Sequence, residues 1–592
     1  MIKNLCGLVV ILSLLALPLW ASSSIVDTKH NLSVTGPGPV KSNADEICIF
    51  CHTPHHASPQ FPYLWNRSLS SAEYIPYSSS TLHAAVGQPT GASKLCLSCH
   101  DGTIALGAVL TRPEFVFDTE LGEIRFMPEG FRSRLGTDLS DDHPISFVYD
   151  NDLVERNNQL HHPDSFPPDV HLDGRGELQC TACHNPHDNR YGKFMVMSNE
   201  YSALCIACHN RTGWSDSSHA LSTATWNNQG TDPWPHADYA TVAQNGCANC
   251  HVSHAAGSAE RLLLYAAEED NCLTCHNGNV ASTNLAAELL KEFRHGVQDY
   301  FDIHDPTEDF STDLVAQHVE CADCHNPHQA NNQRPAALIG QPLVAAGPTL
   351  GVSGITLSGQ QLPSATYEYE ICFKCHGDTN FLGTQPLERQ IDQQNLRFAF
   401  NPDNPSFHPV AGFRSRAGRP APPSLLPPYD TEDQWLIGCG DCHGNNNPNG
   451  PRGPHGSDNP YLLMNTYDTV DPFPLDPVTT ELTAYALCYQ CHDRTSLLNN
   501  ESFTFHALHI RDQQVTCAVC HDPHGVSRND GGTDFNNIHL INFATGQYPG
   551  ALADDLIVRP DAQGRLYYEQ LGTFSGQCFL NCHNVEHSPK TY

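Results

Sequence analysis

Apolar positions along the chain form one long uninterrupted run, from Leu5 to Trp20, which follows Lys3 and precedes small residues at positions 21–23. A basic start, an apolar stretch too short to span a bilayer and small residues after it are typical of a secretory signal, which we expect over residues 1–23. No later stretch has the apolar length of a membrane helix. We therefore expect an exported, soluble protein in the periplasm, at the outer-membrane surface or outside the cell.

The rest of the pattern predicts little regular structure. Only 39% of residues are hydrophobic, and the chain has 42 Gly and 43 Pro, which favours turns and extended chain over long helices and strands. Residues 331–370 predict a few short strands, and a Pro-rich run within 408–436 predicts extended chain. We expect mostly coil with short α-helices and few short strands, organised by something other than an aliphatic core.

Charge restricts the class of partner. The chain has 31 basic and 65 acidic side chains, a formal net charge of −34. Binding to nucleic-acid phosphates needs the opposite sign, so a nucleic-acid partner is excluded. The acidic surface favours solubility and contact with cationic partners or metal ions.

The spacing of the 25 cysteines indicates the chemistry. Cys6 lies in the apolar run, and the others form close pairs that are each followed directly by His. The motifs of form C-x-x-C-H are Cys48, Cys51 and His52; Cys96, Cys99 and His100; Cys180, Cys183 and His184; Cys205, Cys208 and His209; Cys247, Cys250 and His251; Cys272, Cys275 and His276; Cys321, Cys324 and His325; Cys372, Cys375 and His376; Cys439, Cys442 and His443; Cys488, Cys491 and His492; and Cys517, Cys520 and His521. A twelfth motif, Cys578, Cys582 and His583, has one extra residue between its cysteines. We number these motifs 1 to 12 in chain order.

C-x-x-C-H is the attachment sequence of c-type haem, in which both thiols bond to the macrocycle and the His binds its iron as the proximal ligand. Zinc knuckles would not explain a His after every second Cys. Thioredoxin-like redox motifs occur singly on a βαβ pattern that is absent here. The sequence therefore predicts about twelve covalently attached c-type haems.

The surplus of histidine predicts the second, distal ligand of each iron. The chain has 35 His but only 5 Met, so we expect most haems to be bis-histidine and low in potential. Odd-numbered motifs carry a further downstream His, usually three residues on, and even-numbered motifs do not, which defines six two-haem repeats. These downstream candidates are His55, His187, His254, His328, His455 and His524, of which His455 lies beyond a Gly- and Asn-rich spacer.

A His three residues past the proximal ligand cannot reach its own iron, so we expect it to reach a neighbouring haem. A second distal ligand per repeat is expected upstream of each first motif. The upstream candidates are His30, His143, His219, His295, His408 and one of His506 or His509. His236, His304 and His318 compete with them.

The sequences HNLS with His30, EICIFCHTPH with His55, LCLSCHDGT around His100 and the later CHNPH and CHDPH resemble the doubled-CXXCH multihaem cytochromes. The resemblance covers essentially the whole mature chain, and it is closer to the large outer-surface cytochromes of dissimilatory metal-reducing bacteria. It implies electron transfer across or beyond the outer membrane. The implied partners are other cytochromes or outer-membrane conduits and extracellular metal or mineral acceptors, and some relatives self-assemble into filaments.

Three classes of function are consistent with the sequence. The first is an electron conduit, in three parts of four haems over residues 24–235, 236–410 and 411–592. The second is a reductase of nitrite or sulfur oxyanions, which would need an iron with a vacant distal position, often with Lys as the proximal ligand. Every motif here ends in His, which favours the conduit over the reductase. We therefore expect no catalytic residue. The third, a haem-lined filament subunit, is compatible with the first.

Overall fold

A computed structural model describes residues 24–592 apart from residues 60, 62, 113–114, 120–121, 236–238, 301–303, 306–317, 379–386, 414–422, 432–434, 471–480, 546–557, 573–574 and 583. The expected signal and His583 lie outside the described residues. The chain divides into two compact units, Met1–Arg211 with His251–Leu264 and Thr212–Cys250 with Tyr265–Tyr592. The expected division into three four-haem parts stays a prediction.

Helices are short, as the composition predicts. The longest α-helices, Gly91–His100 and Glu368–His376, each end at the His of a motif. The other α-helices of the described residues are Asn151–Asn157, Ala203–Ile206, Ser218–Leu221, Val242–Asn245, Glu268–Leu273, Leu285–Glu288, Cys321–Cys324, Leu396–Ala399, Glu481–Ala484, Arg494–Leu498 and Cys517–Cys520.

Single turns of tighter or wider helix make up the rest of the helical structure. The 3₁₀ turns are Ile25–Asp27, Cys48–Phe50, Pro163–Ser165, Cys180–Ala182, Glu200–Ser202, Trp214–Asp216, Gly246–Asn249, Glu260–Leu262, Gly347–Thr349, Cys439–Asp441, Pro460–Leu462, Cys488–Gln490 and Ile538–Leu540. A π-helical turn covers Leu508–Asp512. All eleven C-x-x-C-H motifs therefore begin in a helical element, as expected.

Strands of the first unit are two or three residues long. Lys41–Ser42, Phe117–Thr119 and Gly122–Ile124 form an antiparallel three-stranded sheet, and Phe147–Val148 pairs with Glu177–Leu178. Strands this short add little stability without packing. They act as local clamps between segments that are distant in sequence.

The second unit has three two-stranded ladders and one larger sheet. The ladders pair Phe293–Arg294 with Gly456–Ser457, Gly354–Ile355 with Gln361–Leu362, and Ser406–Phe407 with Gly525–Val526. The pair at Gly354–Ile355 confirms the short strands expected within residues 331–370. In the larger sheet, Ser575–Cys582 pairs antiparallel with Val558–Arg559, Tyr567–Gly572 and Val585–Thr591.

Buried apolar side chains form several small clusters rather than one core, and cysteines of the motifs border them. In the first unit, Phe50 and Phe117 pack beside Cys51 and Cys99. In the second unit, Val519 and other residues pack beside Cys520, Cys578 and Cys582. Among the described residues, no helix combines the length and apolarity needed to cross a bilayer.

Candidate haem-binding sites

The backbone of each C-x-x-C-H motif holds both cysteines and the His in one turn. In motifs 1, 3 and 11 the backbone N–H of the His donates to the carbonyl of the first Cys, at 2.9 to 3.0 Å. A helical turn advances only about 5 Å over three residues, so both thiols face one side. None of the described cysteines forms a disulfide. This arrangement fits two thioether bonds to a single macrocycle edge.

A backbone carbonyl fixes the imidazole of every odd-numbered motif and of motif 2, including His325 with Pro348 and His100 with Ser133. The other five odd-numbered motifs share one arrangement. The Nδ1–H donates to an oxygen 9 to 18 residues downstream, at 2.6 to 3.0 Å. The pairs are His52 with Tyr63, His184 with Lys193, His251 with Arg261, His443 with Tyr461 and His521 with His539. Donation from Nδ1 leaves Nε2 unprotonated, which is the state needed to bind a metal.

Each of these five accepting residues adopts a left-handed conformation, with φ between 48° and 66°. The residue two positions later then forms a β-bridge with the motif His, as Trp65 does with His52 and Met195 with His184. The sequence analysis did not predict this left-handed turn and its β-bridge to the motif His. Its signal is a repeated tripeptide with an apolar second and third residue, seen in Tyr63-Leu64-Trp65, Lys193-Phe194-Met195, Arg261-Leu262-Leu263, Tyr461-Leu462-Leu463 and His539-Leu540-Ile541.

Nine motif histidines each face one histidine from outside a motif. The pairs are His52 with His187, His100 with His30, His184 with His254, His209 with His143, His276 with His219, His325 with His455, His376 with His295, His443 with His524 and His492 with His408. Each pair lies within one of the two units. Sequence reasoning had named every non-motif partner as a distal candidate.

The ring separations test whether an iron fits between the partners. The centroids are 5.9 to 6.4 Å apart. Two imidazoles bound on opposite sides of one metal, each with a metal–nitrogen distance of about 2.0 Å, would place their centroids about 6.3 Å apart. The paired rings therefore match the spacing of two axial ligands on a single iron.

Burial keeps most of these imidazoles neutral. It lowers the pKa of His209 to about 3, with nearby His143 adding to the effect. It lowers the pKa of His30 and His455 to about 4. Neutral imidazole is the ligand form, since a protonated ring has no lone pair for iron.

His254 differs because it has a carboxylate partner. Burial is the largest single effect and opposes its charged form, but the hydrogen bond to Asp142 and the nearby negative charges together outweigh burial and raise its pKa. The His254 Nδ1 lies 2.8 Å from the Asp142 Oδ1, and Asp142 is buried. A carboxylate in this position orients the ring and makes a ligating imidazole more basic.

The pairs follow one rule along the chain. The His of an even-numbered motif faces the upstream His of its own repeat, as His100 faces His30. The His of an odd-numbered motif faces the downstream His of the following repeat, as His52 faces His187. The same rule covers His184 with His254, His325 with His455 and His443 with His524. Each of these repeats thus receives a histidine from the next.

Backbone pairing brings the two kinds of distal histidine together. Beside His295 and His408 the segment of the upstream His pairs antiparallel with the segment after the downstream His of the next repeat. At His30, His143 and His219 the two segments are joined by single hydrogen bonds, and we call each of these contacts an inter-repeat clasp. In one clasp His408 N–H donates to His524 O at 3.1 Å, and Phe407 pairs with Gly525. A Cβ on Gly525 would lie 2.2 Å from the Ala399 carbonyl oxygen, so the close approach requires glycine.

Proline in the C-H-N-P-H and C-H-D-P-H sequences has a specific place in the clasp. The carbonyl of that Pro accepts a hydrogen bond from the Nδ1–H of the upstream His. The bonds join His30 to Pro186, His219 to Pro327 and His408 to Pro523. Pro454, which precedes His455 beyond the spacer of motif 9, accepts from His295 in the same way. In C-H-V-S-H the equivalent carbonyl, on Ser253, instead accepts the backbone N–H of His143 at 2.9 Å.

Other predicted distal ligands have less defined surroundings. His55 is exposed, and its ring faces no motif histidine among the described residues. His328 lies 6.4 Å from Trp214, ring to ring. Burial lowers the pKa of His506 to about 3, with His521 as the next cause, which places these two rings near each other. The competitor His304 lies against a carboxylate, with its Nδ1 3.0 Å from the Asp323 Oδ1.

Motif 12 departs from the other eleven, since a helical turn was expected there. Cys578 and Cys582 lie on the strand Ser575–Cys582. Four residues of strand span about 13 Å, far more than one helical turn. Burial raises the pKa of the Cys578 thiol to about 12. The π-helical turn that carries His509 contacts this sheet through Tyr592, at a ring separation of 6.5 Å.

Neighbouring motifs approach through their cysteines in an alternating way. Within a repeat the second cysteines are close. Burial, and then the neighbouring thiol, raises the pKa of one thiol in each pair to about 12. The pairs, with the affected thiol first, are Cys51 with Cys99, Cys208 with Cys183, Cys250 with Cys275 and Cys442 with Cys491. Between repeats the first cysteines are hydrogen-bonded, in the pairs Cys96–Cys180, Cys272–Cys321, Cys372–Cys439 and Cys488–Cys517.

Motif 8 differs in detail from this pattern. Its second cysteine, Cys375, is half-buried next to the end of the helix Glu368–His376 and forms no disulfide. Within this repeat, burial raises the pKa of the Cys324 thiol to about 12, and the neighbouring thiol that adds to the rise is Cys372, the first cysteine of motif 8. The predicted thioether bond at Cys375 stays a prediction, as at the other motif cysteines.

Comparison with known proteins agrees with this geometry. Residues 173–213, 240–281 and 436–497 match the doubled CXXCH motif family. The chain is a multihaem c-type cytochrome. It is 28% identical over 165 residues to the multiheme cytochrome MtrA of Shewanella baltica (strain OS185), a match that covers 26% of this chain and 36% of that protein. The cytochrome therefore spans about a third of the length of that curated relative.

Proposed function

We propose that this cytochrome conducts electrons along about twelve covalently attached, bis-histidine haems and performs no substrate chemistry at iron. The observation that carries the proposal is the set of nine facing histidine pairs at axial-ligand spacing. Haem supplies an iron that takes up and releases one electron, while both axial positions are occupied by the chain's own imidazoles. A six-coordinate iron has no vacant position for a substrate.

The ligand assignment follows the rule of the pairs. The nine facing pairs supply eighteen axial ligands to nine irons. We assign His506 to the iron held by His521, because burial and then His521 lower the His506 pKa to about 3. His509 is assigned as the distal ligand of the iron that His583 would hold. His328 stays a predicted distal ligand, and exposed His55, which faces no motif histidine among the described residues, is left without an assigned iron.

The cysteine contacts support an order for the haems. In the first unit the contacts join motif 1 to 2, 2 to 3 and 3 to 4. In the second unit they run in succession from motif 5 to motif 11. Cysteines attach along one edge of the macrocycle, so close cysteines imply close haems. Within each unit the haems follow one another in chain order.

Two features favour the conduit over a reductase of nitrite or sulfur oxyanions. Every motif supplies a proximal His, and nine of these are already opposed by a second imidazole. A reductase would need an open iron. The partial similarity to a multiheme cytochrome and the expected secretory signal support a role outside the cytoplasm. There the partners would be other cytochromes or outer-membrane conduits, with external metal or mineral acceptors.

The number of attached haems tests the cofactor assignment. Denaturing mass spectrometry of the mature protein should show the mass of twelve haems, because thioether bonds survive denaturation. Eleven would indicate that Cys578 and Cys582 remain in their strand without haem, and Cys582→Ser should then leave the mass increment unchanged. Nine or fewer haems would contradict the assignment.

Electron transfer to soluble acceptors tests the conduit directly. The fully reduced protein should reduce an anionic ferric chelate promptly, because outer-sphere transfer needs only an exposed haem edge. The rate should rise with added salt, since a net charge of −34 repels the chelate and the screening length falls to about 10 Å at 0.1 M. A matched cationic acceptor should show the opposite salt dependence. Slow reduction of both acceptors would argue against a conduit.

Carbon monoxide binding tests the axial ligands. Reduced wild-type protein should bind well under one equivalent, because both axial positions are filled. His187→Ala should bind one further equivalent, since the iron held by His52 would lose its second imidazole. The matched control is His55→Ala, which changes the same position of the preceding repeat and should behave as wild type. Stoichiometric binding by wild type, with turnover of nitrite or sulfite, would support the reductase instead.

A further inference from the structure

The facing imidazoles differ in one respect between odd- and even-numbered motifs. In the four odd pairs, on His52, His184, His325 and His443, the ring planes are 17° to 30° apart. In the five even pairs, on His100, His209, His276, His376 and His492, they are 58° to 82° apart. The two ranges do not overlap, and they alternate along the chain.

Hydrogen bonds to backbone carbonyls hold these angles. In an odd pair the motif ring is the fixed one, as when His443 Nδ1–H donates to Tyr461 O at 2.8 Å. In an even pair the distal ring is fixed, as when His295 Nδ1–H donates to Pro454 O at 2.7 Å. In the pair of His100 with His30 both rings are fixed, since His100 Nδ1–H also donates to Ser133 O at 2.6 Å. The carbonyl lies near the plane of a ring that donates to it, so rotation of the ring would break the bond. The orientation of at least one ring in each pair is thus set by the fold.

The angle between axial imidazoles affects the electronic state of a low-spin ferric iron. That iron has one hole in a pair of dπ orbitals, and the filled π orbital of each imidazole donates perpendicular to its ring plane. Parallel rings donate into the same dπ orbital and separate the pair in energy. Perpendicular rings donate into different orbitals and leave the pair nearly equal in energy.

Two measurable properties follow from that difference. A large separation gives a rhombic electron paramagnetic resonance spectrum, whereas near-equal orbitals give a single, very large g value. Parallel rings also raise the orbital that loses the electron, which stabilises the ferric state and lowers the reduction potential. With other factors equal, perpendicular pairs have the higher potential.

We propose that the cytochrome contains two alternating classes of haem, with near-parallel ligands and lower potential at odd-numbered motifs and near-perpendicular ligands and higher potential at even-numbered motifs. Each repeat then holds one haem of each class. This inference rests on the proposed bis-histidine ligation, and it makes neighbouring haems along each unit differ in potential.

Spectra of the unmodified protein test the two classes. The oxidised protein should show a rhombic low-spin set and a large-g set with about equal numbers of spins. As the potential is lowered stepwise, the large-g set should disappear first, because haems of higher potential are reduced first. Half-reduced samples have a further advantage, since fewer neighbouring ferric haems are coupled in their spectra. A single low-spin class, or loss of the rhombic set first, would overturn the proposal. Abundant high-spin iron would instead contradict the ligation on which it rests.

A matched pair of variants assigns the classes to motifs. His30 and His187 lie in the same clasp but face motifs 2 and 1. His30→Met should remove one spin from the large-g set, and His187→Met one spin from the rhombic set, with the haem mass unchanged in both. Loss from the opposite set, or from the same set in both, would contradict the proposal. If a variant loses haem, the titration of unmodified protein still decides the question.

Discussion

The inter-repeat clasp is the contact on which the rest of this cytochrome depends. It is a short contact between two segments, with antiparallel strand pairing at two of its sites. In the proposed ligation it positions a distal imidazole for both motifs of a repeat. One tripeptide, Asn185-Pro186-His187, shows how this works. His187 faces His52 of motif 1, and the carbonyl of Pro186 fixes His30, which faces His100 of motif 2. A repeat is therefore complete only when the next one has folded against it.

This dependence accounts for the unusual composition. The buried apolar clusters are small, and the strands outside the last sheet are only two or three residues long. Such elements cannot balance the conformational entropy of so many residues. In the proposed ligation, covalent haem joined to two cysteines and ligated by histidines from separate segments would tie those segments together. Folding would then be coupled to cofactor attachment, as in small metalloproteins that unfold without their metal.

Much of the site could be predicted from the sequence because covalent chemistry fixes local spacing. The motifs, the alternating downstream histidines and the histidine upstream of each repeat are local patterns, and all nine non-motif partners are among the candidates they indicate. The iron that each histidine faces could not be read in this way, since the clasp joins segments such as those of His295 and Pro454 that lie far apart in the chain. The strand at Cys578 was also missed, because the sheet forms through pairing with residues on both sides of the motif.

A density map of the haem-loaded protein tests the clasp most directly, since it shows which two side chains bind each iron. At the iron bound by His52 the opposite ligand should be His187, from the following repeat, and at the iron bound by His100 it should be His30. A map in which His55 of the same repeat binds either iron, or in which His187 binds none, would contradict the dependence of each repeat on the next.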